Sequence, residues 1–425
     1  MQERIELSSA EELNDSRINL DRVFHNPGRL SNLDQLLHSR HGALSLEKAQ
    51  YIGGRLIAWG IKFQDIEIIQ YVFGGFCRTD ELDEARLNCY RGHPNLFSEE
   101  DKYLFLCFAA NKGLTEVVRA LINRGAGVDL NSPAVSAALR IAAHKGYVAI
   151  VNTLLDGGVS IDLTSQSGLS ALGFAVDGNH LEVVNALINR GASVDLASPT
   201  GSTALMVAAE KGRVAIVNAL LDGGASIDLT NQSGFSALGF AVDGNHLEVV
   251  KALINRGASV DLASREGSTA LMIAARYGRV AIVNALLDGR ANIDLTNQSG
   301  FSALRLAASK NHLEVVATLA NKRANLDLVG GDGLTALMVA AREGHLAVVI
   351  TLLGGGADFN LVNREGRTAL MMASREHNEG VVDLLRTRPK SFLPNKQQPH
   401  KRQFNHCERG GELSLAVLPK SSAFF

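Results

Sequence analysis

The sequence predicts an all-α solenoid in which pairs of short helices, joined by short β-hairpin or turn arms, stack with a period of 33 residues. The fifteen residues SALGFAVDGNHLEVV occur at 170–184 and again at 236–250. Fixed periods of about 20 to 50 residues are typical of repeat architectures. The period is marked by glycines that precede a Ser/Thr-Ala-Leu triplet: Gly168, Gly201, Gly234, Gly267, Gly300, Gly333 and Gly366.

The first half of each repeat has the pattern of a short capped helix, as residues 201–233 show. Thr203 stands at the expected N-cap, where a hydroxyl that accepts a hydrogen bond from a free amide contributes about 1 kcal/mol. Leu205 and Ala208 follow with the i, i+3 spacing of a buried helical face. Gly212 then ends the helix, as glycine commonly does.

A second short helix follows, with Val214, Val217 and Leu220 on one face, and Gly223 ends it before the arm SIDLTNQSG. Isolated helices shorter than about 12 residues are only marginally stable in water. Each repeat must therefore bury its apolar face against the next repeat, and the repeats form one stacked array.

This pattern resembles the ankyrin repeat family, whose usual line is G-x-T-P-L-H-x-A-A…G-H-x-x-(V/I)-V-x-x-L-L-x-x-G-A-(D/N). Residues 333–360 carry it as GLTALMVAAREGHLAVVITLLGGGADFN. The resemblance covers roughly 101–388 and implies a stacked ankyrin array of about nine repeats. Ala-Leu-Met, Ala-Leu-Gly or Ala-Leu-Arg replaces the family's Pro-Leu-His step, so the family's imidazole hydrogen bond between repeats should be missing.

Two segments flank the expected array. Residues 1–100 are predicted to be an N-terminal helical region, in which 55–75 is a degenerate repeat or a cap. The alternative is an independent recruiting domain. Residues 389–425 are predicted to be a disordered, partly basic tail. Its basic run could serve nuclear import or contact a polyanion, but we favour a merely solvated tail, because short basic runs are common.

Composition narrows the function classes. The formal net charge is −2, which does not favour a nucleic-acid partner. The longest apolar runs, such as LIAWGI at 56–61, are too short to enter a membrane as a spanning helix. Four cysteines in a chain of this length do not form a disulfide framework. We therefore expect a reducing compartment, the cytoplasm or the nucleus.

No motif for catalysis, a metal or a cofactor is found in the sequence. His180, His246 and His312 recur two repeats apart, which is about 20 Å and too far for a shared metal ion. Asp177 and Glu210, one repeat apart in an open groove, do not have the spacing of paired catalytic carboxylates. We expect no enzymatic activity, metal, cofactor or small-molecule substrate, although an unrecognised N-terminal enzyme is a third, weaker alternative.

Candidate partner-binding residues follow from the resemblance and from differences between copies. In the ankyrin family, turn tips and first helices line the concave face that holds partners. The copies 202–223 and 268–289 differ at Glu210/Arg276 and Lys211/Tyr277 on the expected exposed surface, besides one core change. Exposed positions can also simply diverge after duplication. The candidates, acidic towards the N-terminus and basic towards the C-terminus, are Asp177, Glu210, Lys211, Asp243, Arg276, Tyr277, Arg305, Lys310, Arg342, Arg364 and Arg375.

The predicted function is that of a protein–protein interaction scaffold or adaptor, which binds a protein partner in a groove polarised from acidic to basic. Such charge complementarity would set register and association rate more than affinity. The alternative is an adaptor or host-directed effector whose N-terminal domain recruits while the ankyrin array selects the target.

Overall fold

The computed structural model of the protein describes residues 99–123 and 129–387. The predicted cap or recruiting domain and the predicted C-terminal tail lie outside these residues, apart from the first turn of the first helix.

The described residues form eighteen helices in nine consecutive pairs. The first helices of the pairs are α1 Glu99–Lys112, α3 Pro133–Lys145, α5 Ala171–Gly178, α7 Ala204–Glu210, α9 Ala237–Asp243, α11 Ala270–Arg276, α13 Ala303–Ser309, α15 Ala336–Glu343 and α17 Ala369–Arg375. The second helices are α2 Thr115–Asn123, α4 Val148–Asp156, α6 Leu181–Asn189, α8 Val214–Asp222, α10 Leu247–Asn255, α12 Val280–Asp288, α14 Leu313–Asn321, α16 Leu346–Gly354 and α18 Glu379–Thr387.

The helices pack in two layers. Each first helix packs against the first helices of the neighbouring pairs, and each second helix against the neighbouring second helices. The two helices of a pair also pack on each other. This arrangement confirms the predicted all-α repeat solenoid.

The arms between pairs are turns, and no sheet forms within the part of the chain that the structure describes. Three arms are closed by a single antiparallel bridge each: Thr230–Ser236, Ala263–Thr269 and Thr296–Ser302. The predicted β-hairpins are therefore reduced to one bridging pair of residues.

One apolar core runs through all the pairs. Ala208 and Val217, from the predicted faces of α7 and α8, are fully buried. Met206, at the position of the family's histidine, is 2% exposed, whereas the equivalent Met371 in the last described pair is 53% exposed. The difference arises because no later described repeat packs on α17.

The predicted N-caps of the first helices are confirmed. The Thr203 hydroxyl accepts a hydrogen bond from the Met206 amide at 3.4 Å. A serine or threonine does the same in every first helix from α3 to α17. Because this hydroxyl is local to its helix, sequence alone is sufficient to locate it.

Candidate partner-binding face

Nine of the eleven predicted site residues lie on one surface, formed by the C-terminal ends of the first helices and the turns after them; Arg305 and Arg364 do not. We call this surface the first-helix face. Most candidates lie in the last turn or at the C-cap of a first helix, and Arg364 lies in the arm before α17. The candidates at helix ends are Asp177, Glu210, Lys211, Asp243, Arg276, Tyr277, Lys310, Arg342 and Arg375.

The acidic end of the face is partly neutralised. Lys211 Nζ lies 3.0 Å from a carboxylate oxygen of Asp177 in the preceding repeat. His144 Nδ1 lies 3.7 Å from the other oxygen of the same carboxylate. Glu210 and Asp243 are exposed, and neither has an ion pair among the described residues. The acidic charge offered to a partner is therefore carried by these two residues.

The basic end of the face also carries less free positive charge than the sequence indicated. Arg342 pairs with its own neighbour Glu343, at 2.9 Å between Nη2 and the carboxylate. Arg375 Nε lies 4.0 Å from the carboxylate of its neighbour Glu376. Both pairs are exposed to solvent, where such contacts contribute little stability but cancel the local field.

Arg305 requires a correction, because the prediction treated it as an exposed partner-binding residue. It is 6% exposed, and its guanidinium forms two hydrogen bonds to the carboxylate of Asp332 in the following arm. The guanidinium carbon also lies 4.0 Å from the centre of the Phe301 ring. Arg305 therefore joins two repeats and is not available on the face.

A sequence signal for this pairing existed. Arg305 occupies the same repeat position as Met206 and Met272, which the helical pattern places inside. The arm that contacts it reads GGDG, where two other arms carry NQSG. A Cβ at Gly330 would overlap the Arg305 guanidinium, so glycine makes room for the buried arginine.

At the centre of the face lies a cluster of basic and aromatic side chains whose cations form no ion pair with a described carboxylate. Tyr277 is 51% exposed. The guanidinium carbon of Arg279 lies 4.8 Å from the ring centre, and that of Arg276 lies 5.8 Å from it. Lys310 is the exposed C-cap residue of the next first helix. We call Arg276, Tyr277, Arg279 and Lys310 the basic–aromatic patch. The candidates predicted from the sequence include all of these residues except Arg279.

Histidines connect the repeats, but from a position different from the one the family resemblance implied. His180, His246 and His312 each precede a second helix, and their Nε2 atoms lie within hydrogen-bonding distance of carbonyl oxygens of the preceding repeat. The separation for His246 and the Glu210 carbonyl is 2.8 Å. These imidazoles act structurally, and in the described ranges no group of His, Cys, Asp and Glu could hold a metal ion.

The described residues give little support for nucleophilic chemistry. Burial raises the pKa of the Cys107 thiol, and the positive charge of Arg140 only partly offsets this effect. The thiolate is therefore disfavoured at neutral pH. Within 99–123 and 129–387, no helix combines the length and apolar character needed to cross a bilayer.

Stacked helix pairs that share one core define the class of repeat solenoids. A family model described as ankyrin repeats, in three copies, matches the chain in overlapping segments that together span residues 106–396. The chain therefore belongs to the ankyrin repeat family. A comparison with curated proteins finds no match. Ankyrin repeats are generally protein–protein interaction modules and typically non-enzymatic scaffolds.

Proposed function

We propose that this protein is a scaffold or adaptor that binds a protein partner through the first-helix face. The observation that carries the proposal is where two almost identical repeats differ. Between 202–223 and 268–289 only three residues change, and two of the changes are Glu210/Arg276 and Lys211/Tyr277. All four of these residues are exposed on the face, whereas the apolar core is retained.

The face also has a direction. Glu210 and Asp243 provide free negative charge on the N-terminal side of the patch, and Arg276 and Lys310 provide free positive charge. A partner with complementary charges would be oriented along the array before contact, because such fields guide encounter and register. The part of the surface that carries free charge is thus shorter than the sequence suggested and extends from α7 to α13.

Site-specific photo-crosslinking tests this proposal. A photoreactive phenylalanine analogue is placed in the full chain at Glu210 or Lys310 on the first-helix face. Matched variants carry it at Glu182 or Lys251, which are exposed on second helices. We expect one protein partner to be crosslinked from both face positions and from neither second-helix position. Equal crosslinking from the two surfaces, or no crosslinked protein at all, would refute the proposed face.

A further inference from the structure

We propose that the basic–aromatic patch binds an acidic segment of the partner, one that presents at least two carboxylates beside an aromatic or apolar side chain. This inference rests on the proposed function and specifies the chemistry of the partner. It depends on three features of the patch, namely its unpaired charge, its exposed ring and its fixed position.

The unpaired charge comes from the register of the array. Residues 34 apart in sequence meet across neighbouring first helices, as Asp177 and Lys211 do in their ion pair. The same register sets Arg276 beside Lys310, so two cations occupy the positions at which Asp177 and Lys211 carry opposite charges. Packed helices are about 8–10 Å apart. In the described part of the chain neither cation has an ion-pair partner, and a segment with two carboxylates would neutralise both.

The aromatic ring adds contact area and a hydrogen-bond donor. Two guanidinium groups lie near the Tyr277 ring, with Arg279 the nearer at 4.8 Å from the ring centre. Such cation–π contacts hold the ring in place, and the residue remains half exposed. Tyrosine and arginine are the residue types that most often carry binding energy at interfaces. The phenol hydroxyl can donate to a carboxylate, while the ring packs on an apolar side chain.

The patch is held in position by the next repeat. The carbonyl oxygen of Arg276 lies 2.9 Å from His312 Nε2, which ties the end of α11 to the start of α14. Arg276 is the last residue of α11 and Tyr277 is its C-cap, so both side chains project from a fixed helix end. A rigid site loses little conformational entropy on binding.

The flanking charge favours a protein segment over a nucleic acid. Asp243 and Glu210 precede the patch, and Glu343 follows it. A phosphate backbone carries charge at every step and would meet these carboxylates on either side, whereas a short acidic segment would not. The chain's formal net charge of −2 likewise favours a protein partner over a nucleic acid.

The test measures binding of the full chain to a fluorescein-labelled peptide GEEWEEG by fluorescence anisotropy. Its lysine counterpart GKKWKKG and a labelled single-stranded oligouridylate are measured alongside. The patch variant is Arg276→Glu with Lys310→Glu. Both replacements are compatible with the fold, because Glu210 and Glu343 occupy the same positions in other repeats. The control variant, Arg290→Glu with Arg323→Glu, makes the same charge change at exposed positions after second helices.

We expect the wild-type chain and the control variant to bind GEEWEEG equally and the patch variant to bind about tenfold or more weakly. GKKWKKG should not bind. Equal weakening in both variants, absence of GEEWEEG binding, or patch-dependent binding of the oligouridylate in its place would overturn the acidic-segment assignment.

Failure of this inference can be separated from failure of the proposed function. The patch variant is also carried through the crosslinking experiment at Glu210. If the wild-type face captures a partner and the patch variant captures it equally well, the face is retained and the acidic-segment assignment is refuted. Loss of capture in the patch variant alone supports both.

Discussion

At Arg305 the chain places a charged side chain where other repeats bury a methionine. The guanidinium is compensated by the Asp332 carboxylate and the Phe301 ring, and Gly330 leaves the space that it fills. Burial disfavours the ionised carboxylate, but hydrogen bonds from Arg305 and from the Leu334 amide, with the Arg305 charge, hold the pKa of Asp332 below its usual value. The contact with Arg305 therefore favours the ionised form of the Asp332 carboxylate.

We predict that Asp332→Asn destabilises the protein at pH 7 by about 1–2 kcal/mol, since a buried guanidinium loses its counter-charge while the carboxylate site is itself partly exposed. Because the folded pKa is depressed, this contribution is present above the unfolded pKa of about 3.9 and lost as pH falls through the folded pKa. In urea unfolding, the difference in unfolding free energy between wild type and Asp332→Asn should be smaller at pH 3 than at pH 7.

The control for this prediction is Arg305→Met with Asp332→Ser, which restores the residues that other repeats carry at these positions. Replacing a buried ion pair by packed apolar atoms is often neutral. The double variant should therefore unfold within about 1 kcal/mol of wild type at both pH values. A cost of Asp332→Asn that does not change with pH would contradict the role assigned to this carboxylate.

Between elements, the imidazole bonds depend on glycines in the turns. The His246 ring is accommodated by Gly212 in the preceding repeat and by Gly244 beside it, where an added Cβ would lie within 2.8 Å of ring atoms or of the Glu210 carbonyl. At the junction that His345 closes, Asn311 replaces the first of these glycines and Glu343 the second, whereas at the His312 junction Lys310 replaces only the second and the bond stays at 2.9 Å. The bond from His345 Nε2 to the Ser309 carbonyl, by contrast, lengthens to 3.3 Å. The absence of a Cβ at Gly212 and Gly244 therefore gives the imidazole room to reach the carbonyl of the preceding repeat.

We predict that Gly212→Ala destabilises the protein more than Gly257→Ala. Both glycines have positive φ, 71° and 87°, so both substitutions strain the backbone. Only Gly212 faces a neighbour, because nothing lies within 4 Å of a Cβ added at Gly257. Thermal unfolding should separate the two variants by about 1–2 kcal/mol. Adding His246→Ala to Gly212→Ala should remove most of the difference; if it does not, the ring contact is not the cause.

At the scale of the whole molecule, the repeats are joined unequally. Before the junction that His345 closes, ion pairs between second helices, such as Asp156 with Arg190 at 2.7 Å, recur at every second junction together with imidazole bonds. At the junctions between them an arginine replaces the histidine. The Nη1 atoms of these residues, Arg213 and Arg279, are buried with no hydrogen-bond partner. The two copies of the duplicated unit, 200–265 and 266–331, are thus each better connected internally than to each other.

We predict that residues 200–265 and 266–331 open as separate blocks in native-state hydrogen exchange of the full chain. Repeat arrays behave as chains of units coupled through neighbouring interfaces, so the weakest junction sets the block boundary. Asn245→Gly with Arg279→His should place an imidazole within reach of the Asp243 carbonyl at this boundary, as Gly212 and His246 do one repeat earlier, and raise its opening free energy by about 1 kcal/mol. A single cooperative opening of all the described repeats in the wild type would contradict the unequal coupling.

Much of the fold could be predicted from the sequence because its determinants are local. The N-cap at Thr203, the helix stop at Gly212 and the buried positions Ala208 and Val217 each depend on residues within one helix or turn. A period of 33 residues then requires that the helix pairs stack, since none could bury its apolar face alone.

The candidate site was only partly predictable. The helix ends that form the first-helix face followed from the register of the repeats, and so did the exposure of Arg276 and Tyr277. The pairing of Asp177 with Lys211, the burial of Arg305 and the position of Arg279 under the Tyr277 ring did not.

The sequence by itself thus determined that the chain is a stacked helical array and which residues mark each helix. Only the tertiary structure decided which charges remain free on the face. The physical reason is distance. Helix signals act over a few residues, whereas an ion pair depends on two side chains from different repeats meeting within about 4 Å. That meeting depends on register and side-chain direction, which no single repeat contains.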